Sequence, residues 1–278
     1  EVGDIVRVEV EPEKFGRIAA QTARQVIIQR LKDAERQIIY EEFSDKIGDL
    51  INGVVFKSED DQVLVRLNDR TEAILPREER IVGESYALGS RMKFFLVEVR
   101  QTTRGPKIIV SRSHPGLLRK LLELEIPEVR EGTIEIREIV RESGVRAKVA
   151  VSTLDPNVDP VGACIGNAGA RIKSISKELG GERIDVVVWS SDPLIFIRNA
   201  LSPARVLKVE PVLEQERAVQ VFVRPDHLSL AIGKAGQNVR LAARLTKWKI
   251  DIKVLEPEKL PTLQDLFDEL TNTEEVES

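Results

Sequence analysis

Residues 159–173 and 226–240 are one stretch written twice, and no other feature limits the possible folds as tightly. Asp-Pro-Val-Gly-Ala-Cys-Ile-Gly-Asn-Ala-Gly-Ala-Arg-Ile-Lys aligns without a gap on Asp-His-Leu-Ser-Leu-Ala-Ile-Gly-Lys-Ala-Gly-Gln-Asn-Val-Arg, at a constant offset of 67 residues. Downstream, Ile184-Asp185 and Ile250-Asp251 keep the correspondence at an offset of 66. A repeat of this kind marks two copies of one supersecondary unit. Hydrophobic periodicity around each copy gives the same order. A helix at 117–124, strands at 132–141 and 145–152, short helices at 160–165 and 170–179, and a strand at 183–189 form the first. A helix at 193–201, strands at 205–211 and 218–224, helices at 227–232 and 237–245, and a strand at 249–255 form the second. The order is αββααβ, twice.

The shared motif, I-G-x-A-G-x-x-[IV]-[KR], lies between two short helices. In a G-x-x-G turn the bare glycines leave room for a sugar-phosphate chain to approach the backbone. The N–H groups and the positive dipole end of the second helix then face phosphate oxygens. Lys234 supplies a direct phosphate partner, while Lys173 and Arg240 lie one turn into the following helix. A loop that clamps about four nucleotides in this way is the KH mode of single-strand recognition. The candidate RNA-binding residues are therefore Gly166, Asn167, Ala168, Gly169, Arg171 and Lys173 in the first copy. Gly233, Lys234, Ala235, Gly236, Gln237, Asn238 and Arg240 are their counterparts in the second. A nucleotide-hydrolase reading fails at the same place. A P-loop needs Gly where Leu228 stands and Ser or Thr where Ala235 stands, and the chain has no G-x-G-x-x-G.

Composition narrows the chemistry further. One cysteine, Cys164, excludes an intrachain disulfide framework and a cysteine-built zinc site, and it points to a reducing cytoplasm. His114 and His227 are too few and too scattered to build a metal site, so no metal, cofactor or catalytic residue is expected. No apolar run approaches the roughly 18–20 residues needed to span a bilayer, and no signal peptide opens the sequence. The net charge of −4 conceals a division. Residues 256–278 hold eight acidic residues against one lysine, a net of −7, which leaves +3 on residues 1–255. Residues 224–253 alone carry +5.

The remaining segments have their own patterns. Residues 4–11 alternate as a short strand, and 14–43 read as a long helix. Phe15, Ile18, Ala19, Ala23, Val26, Ile27, Leu31, Ala34 and Ile38 form an apolar stripe expected to pack on a neighbouring domain. A start at Glu1, without Met, is expected of a fragment lacking the first part of that domain. From 48 to 112 the period changes to two. Segments 50–57, 62–67, 72–75, 91–99 and 107–111 are separated by turn-forming clusters, and five short strands fit a small closed barrel of the OB type. Such a barrel presents a strand face to single-stranded nucleic acid, where Phe56, Phe94, Arg66, Arg91 and Lys93 are the candidates. Asp159 and Asp226, each just before a short helix, are expected to be N-caps. Trp189, Trp248 and Cys164 are expected to be packing residues. In the tail, Leu263, Leu266, Phe267 and Leu270 make a short amphipathic stripe, expected to be a frayed end.

A barrel followed by two G-x-x-G modules resembles the NusA family of bacterial transcription factors. The likeness is carried by G-A-C-I-G-N-A-G-A-R-I at 162–172, G-G-E-R-I-D-V-V-V-W at 180–189 and A-I-G-K-A-G-Q-N-V-R-L-A at 231–242. F-G-R-I-A-A-Q-T-A-R-Q-V-I at 15–27 is similar to the end of that family's polymerase-binding N-terminal domain. The resemblance implies a multidomain α+β chain: a strand and long helix (1–44), an S1 domain of OB fold (45–112), two tandem type II KH domains (113–190 and 191–255) and an acidic tail (256–278). It implies a non-enzymatic factor that meets nascent single-stranded RNA, RNA polymerase and other Nus factors, and modulates pausing, intrinsic termination and antitermination. A cytoplasmic monomer with no membrane partner is expected. Asn167 departs from the basic residue common at that loop position, which implies a weaker phosphate grip in the first module. Two rival readings are an RNA-degradation protein, like the accessory region of polynucleotide phosphorylase, and an S1/KH protein of translation.

Overall fold

Helix α1 (Pro12–Ser44) runs into a five-stranded closed barrel. The computed structural model describes residues 12–212 and 216–255. The expected strand at 4–11 and the acidic tail with its Leu263, Leu266, Phe267 and Leu270 stripe lie outside the described residues. The barrel consists of β1 (Leu50–Ser58), β2 (Gln62–Arg66), β3 (Glu72–Pro76), β4 (Arg91–Thr102) and β5 (Gly105–Ser111). Its order is β1-β2-β3-β5-β4, and β1 pairs back onto β4. The β3–β5 pair is parallel; the others are antiparallel. Alternation sends Val55, Val63, Val65, Ala73, Leu75, Phe94, Leu96, Ile108 and Val110 into the core. Gly53 sits inside the wall because any side chain there would collide with Val65 and crowd Phe94. Closure leaves no free edge strand, which removes a template for misassociation.

Only the C-terminal end of α1 packs on the barrel. Phe43 joins the barrel core, with Ile39 and Tyr40 against it. From Ile18 onward the expected stripe is exposed, while the Phe15 side chain lies outside the described residues: Ile18, Ile27 and Ile38 are 64%, 66% and 63% accessible, and Val26 and Leu31 are open as well. The reason is rotational register. The residues that meet the barrel are one step round the helix from the stripe, and among the described residues nothing covers the stripe itself. Arg112, fully buried, is held by the Glu84 carboxylate and donates through Nη1 to the Lys93 carbonyl at 2.7 Å.

Compact units divide the chain at residues 121 and 122. After α2 (Pro115–Glu125), the second unit contains α3 (Pro127–Arg130), β6 (Ile134–Glu142), β7 (Arg146–Thr153), α4 (Pro160–Ile165), α5 (Ala170–Glu178) and β8 (Arg183–Val188). It continues with α6 (Pro193–Ala200), β9 (Val206–Pro211), β10 (Ala218–Val223), α7 (Leu228–Ile232), α8 (Gln237–Thr246) and β11 (Lys249–Val254). Both sheets have the same plan: β7 runs antiparallel to β6 and parallel to β8, and β10 runs antiparallel to β9 and parallel to β11. The αββααβ order is thus realised twice.

The two modules share one core. Val140, Ala150 and Val187 of the first pack with Ile197, Ala200, Leu241, Ala242 and Leu245 of the second. Trp189 and Trp248 pack against the same cluster. Two ionic arrangements are buried in this unit, one inside the first module and one reaching across the joint. The Arg141 guanidinium meets the Glu182 carboxylate at 2.7–3.0 Å, and the Gly144 N–H adds a third donor at 2.7 Å. Lys148 donates to the Asp185 carboxylate at 3.3 Å and to the Ser202 carbonyl of the second module at 2.9 Å. Burial pushes the Lys148 ammonium down to about 8, against the opposing pull of Asp185. Pairs of this kind add little net stability, but breaking one leaves an uncompensated buried charge.

Candidate RNA-binding interface

Each G-x-x-G loop is a backbone conformation before it is a binding site. Gly166 and Gly233 take φ/ψ of 75°/174° and 74°/171°, a region essentially reserved for glycine. Gly169 and Gly236 sit at 76°/19° and 75°/11°, in the left-handed region. The alanines between the glycines also adopt positive φ, 50° at Ala168 and 51° at Ala235. The loop bonds match as well. The N–H of Gly166 donates to Gly162 and that of Gly233 to Ser229, both at 2.9 Å. Ala170 and Gln237 close the single turn onto the carbonyls of Asn167 and Lys234. The 67-residue repeat therefore extends to individual dihedrals and hydrogen bonds.

Both loops are anchored from equivalent positions by different side chains. Arg171 donates through Nη1 to the Ala163 carbonyl at 2.6 Å, and Asn238 donates through Nδ2 to the Leu230 carbonyl at 3.1 Å. Arg171 is also paired with Glu128 of α3 at 2.9 Å. Hydrogen bonding by the Glu128 backbone N–H, and then by Arg171, holds the Glu128 carboxyl below its ordinary range. Asn238 is fully buried, with further bonds to the Leu201 and Ala231 carbonyls at 3.0 and 3.2 Å. The expectation that Asn238 touches RNA is corrected by that burial, because its amide faces inward and holds the loop. Cys164 is buried in α4, where burial pushes its thiol up to about 11.

The other cations of the loops differ in availability. Asn167, Ala168, Lys234 and Ala235 are exposed at the loop tips, and Gln237 is half-buried. Lys173 folds back to donate to the Ala168 carbonyl at 2.8 Å. Arg240 is exposed but bonded to Glu142 of the first module at 2.7 Å, and that guanidinium lowers the carboxyl's pKa. Lys234 makes no ion pair among the described residues, so it is the cation presented most freely. Asp159 caps α4 as expected, accepting from the Val161 N–H at 3.1 Å. Asp226 does not cap. It pairs with Arg224 at 3.1 Å. The reason lies two to three residues on: the Asp159 carboxylate occupies space that a side chain at Gly162 would fill, and the equivalent position in the second module is Ser229.

Against this geometry, comparison with known proteins is decisive. Residues 112–189 match the NusA-like first KH domain, 193–259 the NusA-like second KH domain, and 1–37 the NusA N-terminal domain. Relatives named "Transcription termination/antitermination protein NusA" include that of Bacillus subtilis, 53% identical over 91% of this chain and 67% of the relative. The Halalkalibacterium halodurans protein of the same name is 50% identical over 95% of this chain and 69% of the relative. For Thermus thermophilus the figures are 46%, 100% and 70%. The chain belongs to the NusA family.

In this NusA-family chain the barrel gathers four of the five residues expected on its RNA face. Arg66 and Arg91 both stand opposite Val54 across the β1 pairings, and Lys93 stands opposite Asn52 two positions along. The Arg66 guanidinium lies over the Phe56 ring at 4.8 Å. Phe94 is the exception. It is 0% exposed and belongs to the core, because Phe94, Phe95 and Leu96 form an unbroken apolar run whose inward members alternation cannot assign. Sequence reasoning missed a second basic cluster, Arg36, Arg70, Arg104 and Lys107, around a groove between α1 and the barrel. Arg70 and Arg104 lie in segments read as turn punctuation. Their meeting depends on the parallel β3–β5 pairing, which puts the starts of both strands, and the turns before them, at one end of the barrel. His114 stacks on Phe95 at 4.6 Å, and the His227 Nδ1 accepts from the Arg205 N–H at 3.1 Å, so both histidines have packing roles. Among the described residues no cluster of metal-ligating side chains occurs and no helix is long and apolar enough to cross a membrane.

Proposed function

We propose that the chain binds single-stranded nascent RNA through its two G-x-x-G loops and acts on transcription. As a NusA-family member it associates with RNA polymerase and modulates pausing, intrinsic termination and antitermination. The observation that supports this most directly is the paired loop. Two modules built to the same dihedrals place bare glycine backbone and an unpaired Lys234 where a sugar-phosphate chain can approach. The shared core between the modules supports their acting together on one strand. Other Nus factors as partners, a monomeric state, a cytoplasmic setting and the absence of any catalytic step belong to the same proposal. So does the division at 44, 112, 190 and 255, together with the assignment of individual loop residues to RNA contact.

Crosslinking this chain to nascent RNA in a polymerase elongation complex tests the reading. Crosslinks at peptides containing 166–173 and 233–240 are expected. Recovery with ribosomes instead of polymerase, or phosphate-dependent RNA degradation by the pure protein, would overturn it in favour of a translation or RNA-decay protein.

A further inference from the structure

We propose that Glu142, at the end of β6 in the first module, holds Arg240 off the G-x-x-G loop of the second, so that an RNA phosphate must compete with this carboxylate for the guanidinium. The proposal rests on the RNA-binding reading above and deepens it: the phosphate grip of one module is set by a residue of the other.

Arg240 and Lys173 occupy the same place in the repeat, four residues after the second loop glycine. Long helical side chains lean toward the helix N-terminus, so a cation at this position reaches back over the loop. Lys173 does so. Its ammonium donates to the Ala168 carbonyl at 2.8 Å, and its Cε and Nζ lie 3.4 and 3.7 Å from where a Cβ on Gly169 would stand. Among the described residues no heavy atom comes within 4 Å of the same point at Gly236. Arg240 reaches sideways instead, its Nε donating to the Glu142 Oε1 at 2.7 Å and its Nη2 to Oε2 at 3.3 Å. The acceptor of Lys173 is a neutral carbonyl and leaves the ammonium charge at the loop. The acceptor of Arg240 is an anion and offsets it.

Glu142 is the fixed member of the pair. Its neighbour Arg141 is locked to the buried Glu182, and the β6–β7 hairpin closes through the Val145 N–H, which donates to the Glu142 carbonyl at 3.0 Å. The Glu142 side chain is 21% exposed and that of Arg240 51%. An ion pair this open to water is weak, and arginine offers a phosphate the same forked donors that it offers a carboxylate. A phosphate arriving at the second loop can therefore take Arg240 over, but only by breaking the pair already made. Lys247 is tied to Glu138 of the same strand at 3.2 Å, at the opposite end of α8 from the loop. That pair lies about 10 Å beyond Arg240 along the helix and takes no part in the exchange.

The test uses the whole chain, its arginines labelled with 15N, and a 20-nucleotide single-stranded RNA pool of random sequence. The Arg240 Nε–Hε cross-peak is assigned by its loss in Arg240→Lys. Saturating RNA should shift this peak as the guanidinium passes from carboxylate to phosphate; a peak that stays in place at saturation would overturn the proposal. In anisotropy titrations Glu142→Gln should tighten binding about 2- to 5-fold, the range expected for losing a half-exposed pair. Glu138→Gln removes the same charge from the same strand, but more than a Debye length of about 8 Å further from the loop at 0.15 M salt, and should tighten binding far less. Equal tightening by the two would mark a general charge effect. Weaker binding in Glu142→Gln would mark a carboxylate that readies Arg240 for RNA. Either result overturns the proposal, and the wild-type spectrum reads the exchange whatever Glu142→Gln does to the stability of the joint. Gly236→Asp separates the two readings. Binding left intact there would overturn the loop reading and the proposal with it, whereas loss of binding there with an unmoved wild-type Arg240 peak counts against the proposal alone.

Discussion

Five residues after the first loop glycine, the first module places Arg171 and the second Asn238, and each donates to the corresponding carbonyl of the preceding helix. The loops they support differ by no more than a few degrees at most backbone positions, yet their electrostatics diverge. The arginine solution consumes a cation. Its charge is half-buried, so Glu128 must neutralise it, and neither group is left for a phosphate. The asparagine solution is neutral, fully buried and linked to three carbonyls, and it leaves the charge of the loop to the exposed Lys234. Backbone shape and available charge are therefore set independently in the two modules.

On this contrast, Asn238→Asp has the largest effect. An ionised carboxylate facing three carbonyls in a buried site should cost about 3–5 kcal/mol, measured by urea unfolding. Burial raises the pKa of such a carboxyl, so the folded state holds the proton more tightly than the unfolded one. The loss should be smallest below about pH 4 and grow as pH rises toward the raised folded value. Arg171→Ala, at the equivalent site, should cost less than about 1 kcal/mol because its pair is partly solvated. Similar losses at the two positions would refute the contrast.

Next in size is a methyl at the first glycine. At Gly233 a Cβ would lie 2.8 Å from the Asn238 backbone nitrogen, which cannot move aside. At Gly166 it would lie 2.8 Å from the Arg171 Cγ, part of a side chain that can swing. Both substitutions are strained by backbone conformation at about 1–3 kcal/mol; Gly233→Ala should fall at the upper end and Gly166→Ala at the lower, by thermal unfolding.

RNA affinity comes third. Gly236 has no heavy atom within 4 Å of an added Cβ, and aspartate tolerates its left-handed backbone better than most residues, so Gly236→Asp should fold at some cost in stability and weaken RNA binding about 10-fold, by placing a carboxylate at the phosphate path. Gly169→Asp should weaken it less, since the first loop presents Asn167. Equal losses would dissolve the asymmetry. The smallest effect is expected from exchanging the tips. Lys234→Gln should reduce the salt slope by roughly 0.7, and Asn167→Lys should raise it by a similar amount, in fluorescence titrations.

Much of the architecture is legible in the residues. The repeat, the change from helical to two-residue period at 48, and the turn clusters locate the modules and all five barrel strands. The caps show where this stops. Asp159 and Asp226 look alike in sequence, but only the first has a glycine three residues on that leaves its carboxylate room. Phe94 lies in an apolar run where alternation gives no direction. Asn238 sits in a polar loop motif, and nothing local announces that it points inward.

The sequence by itself determined where glycine is obligatory, where the chain turns, and that one unit is used twice, because these depend on a residue's own backbone preferences and its near neighbours. Tertiary structure decided which polar groups remain available. Strand pairing across the barrel brings Arg70 and Arg104 beside Arg36, and packing of the second module on the first joins Arg240 to Glu142 and Lys148 to Ser202. Those partners lie tens of residues away in the chain, and whether a cation is free or engaged depends on the distance in space to its nearest carboxylate.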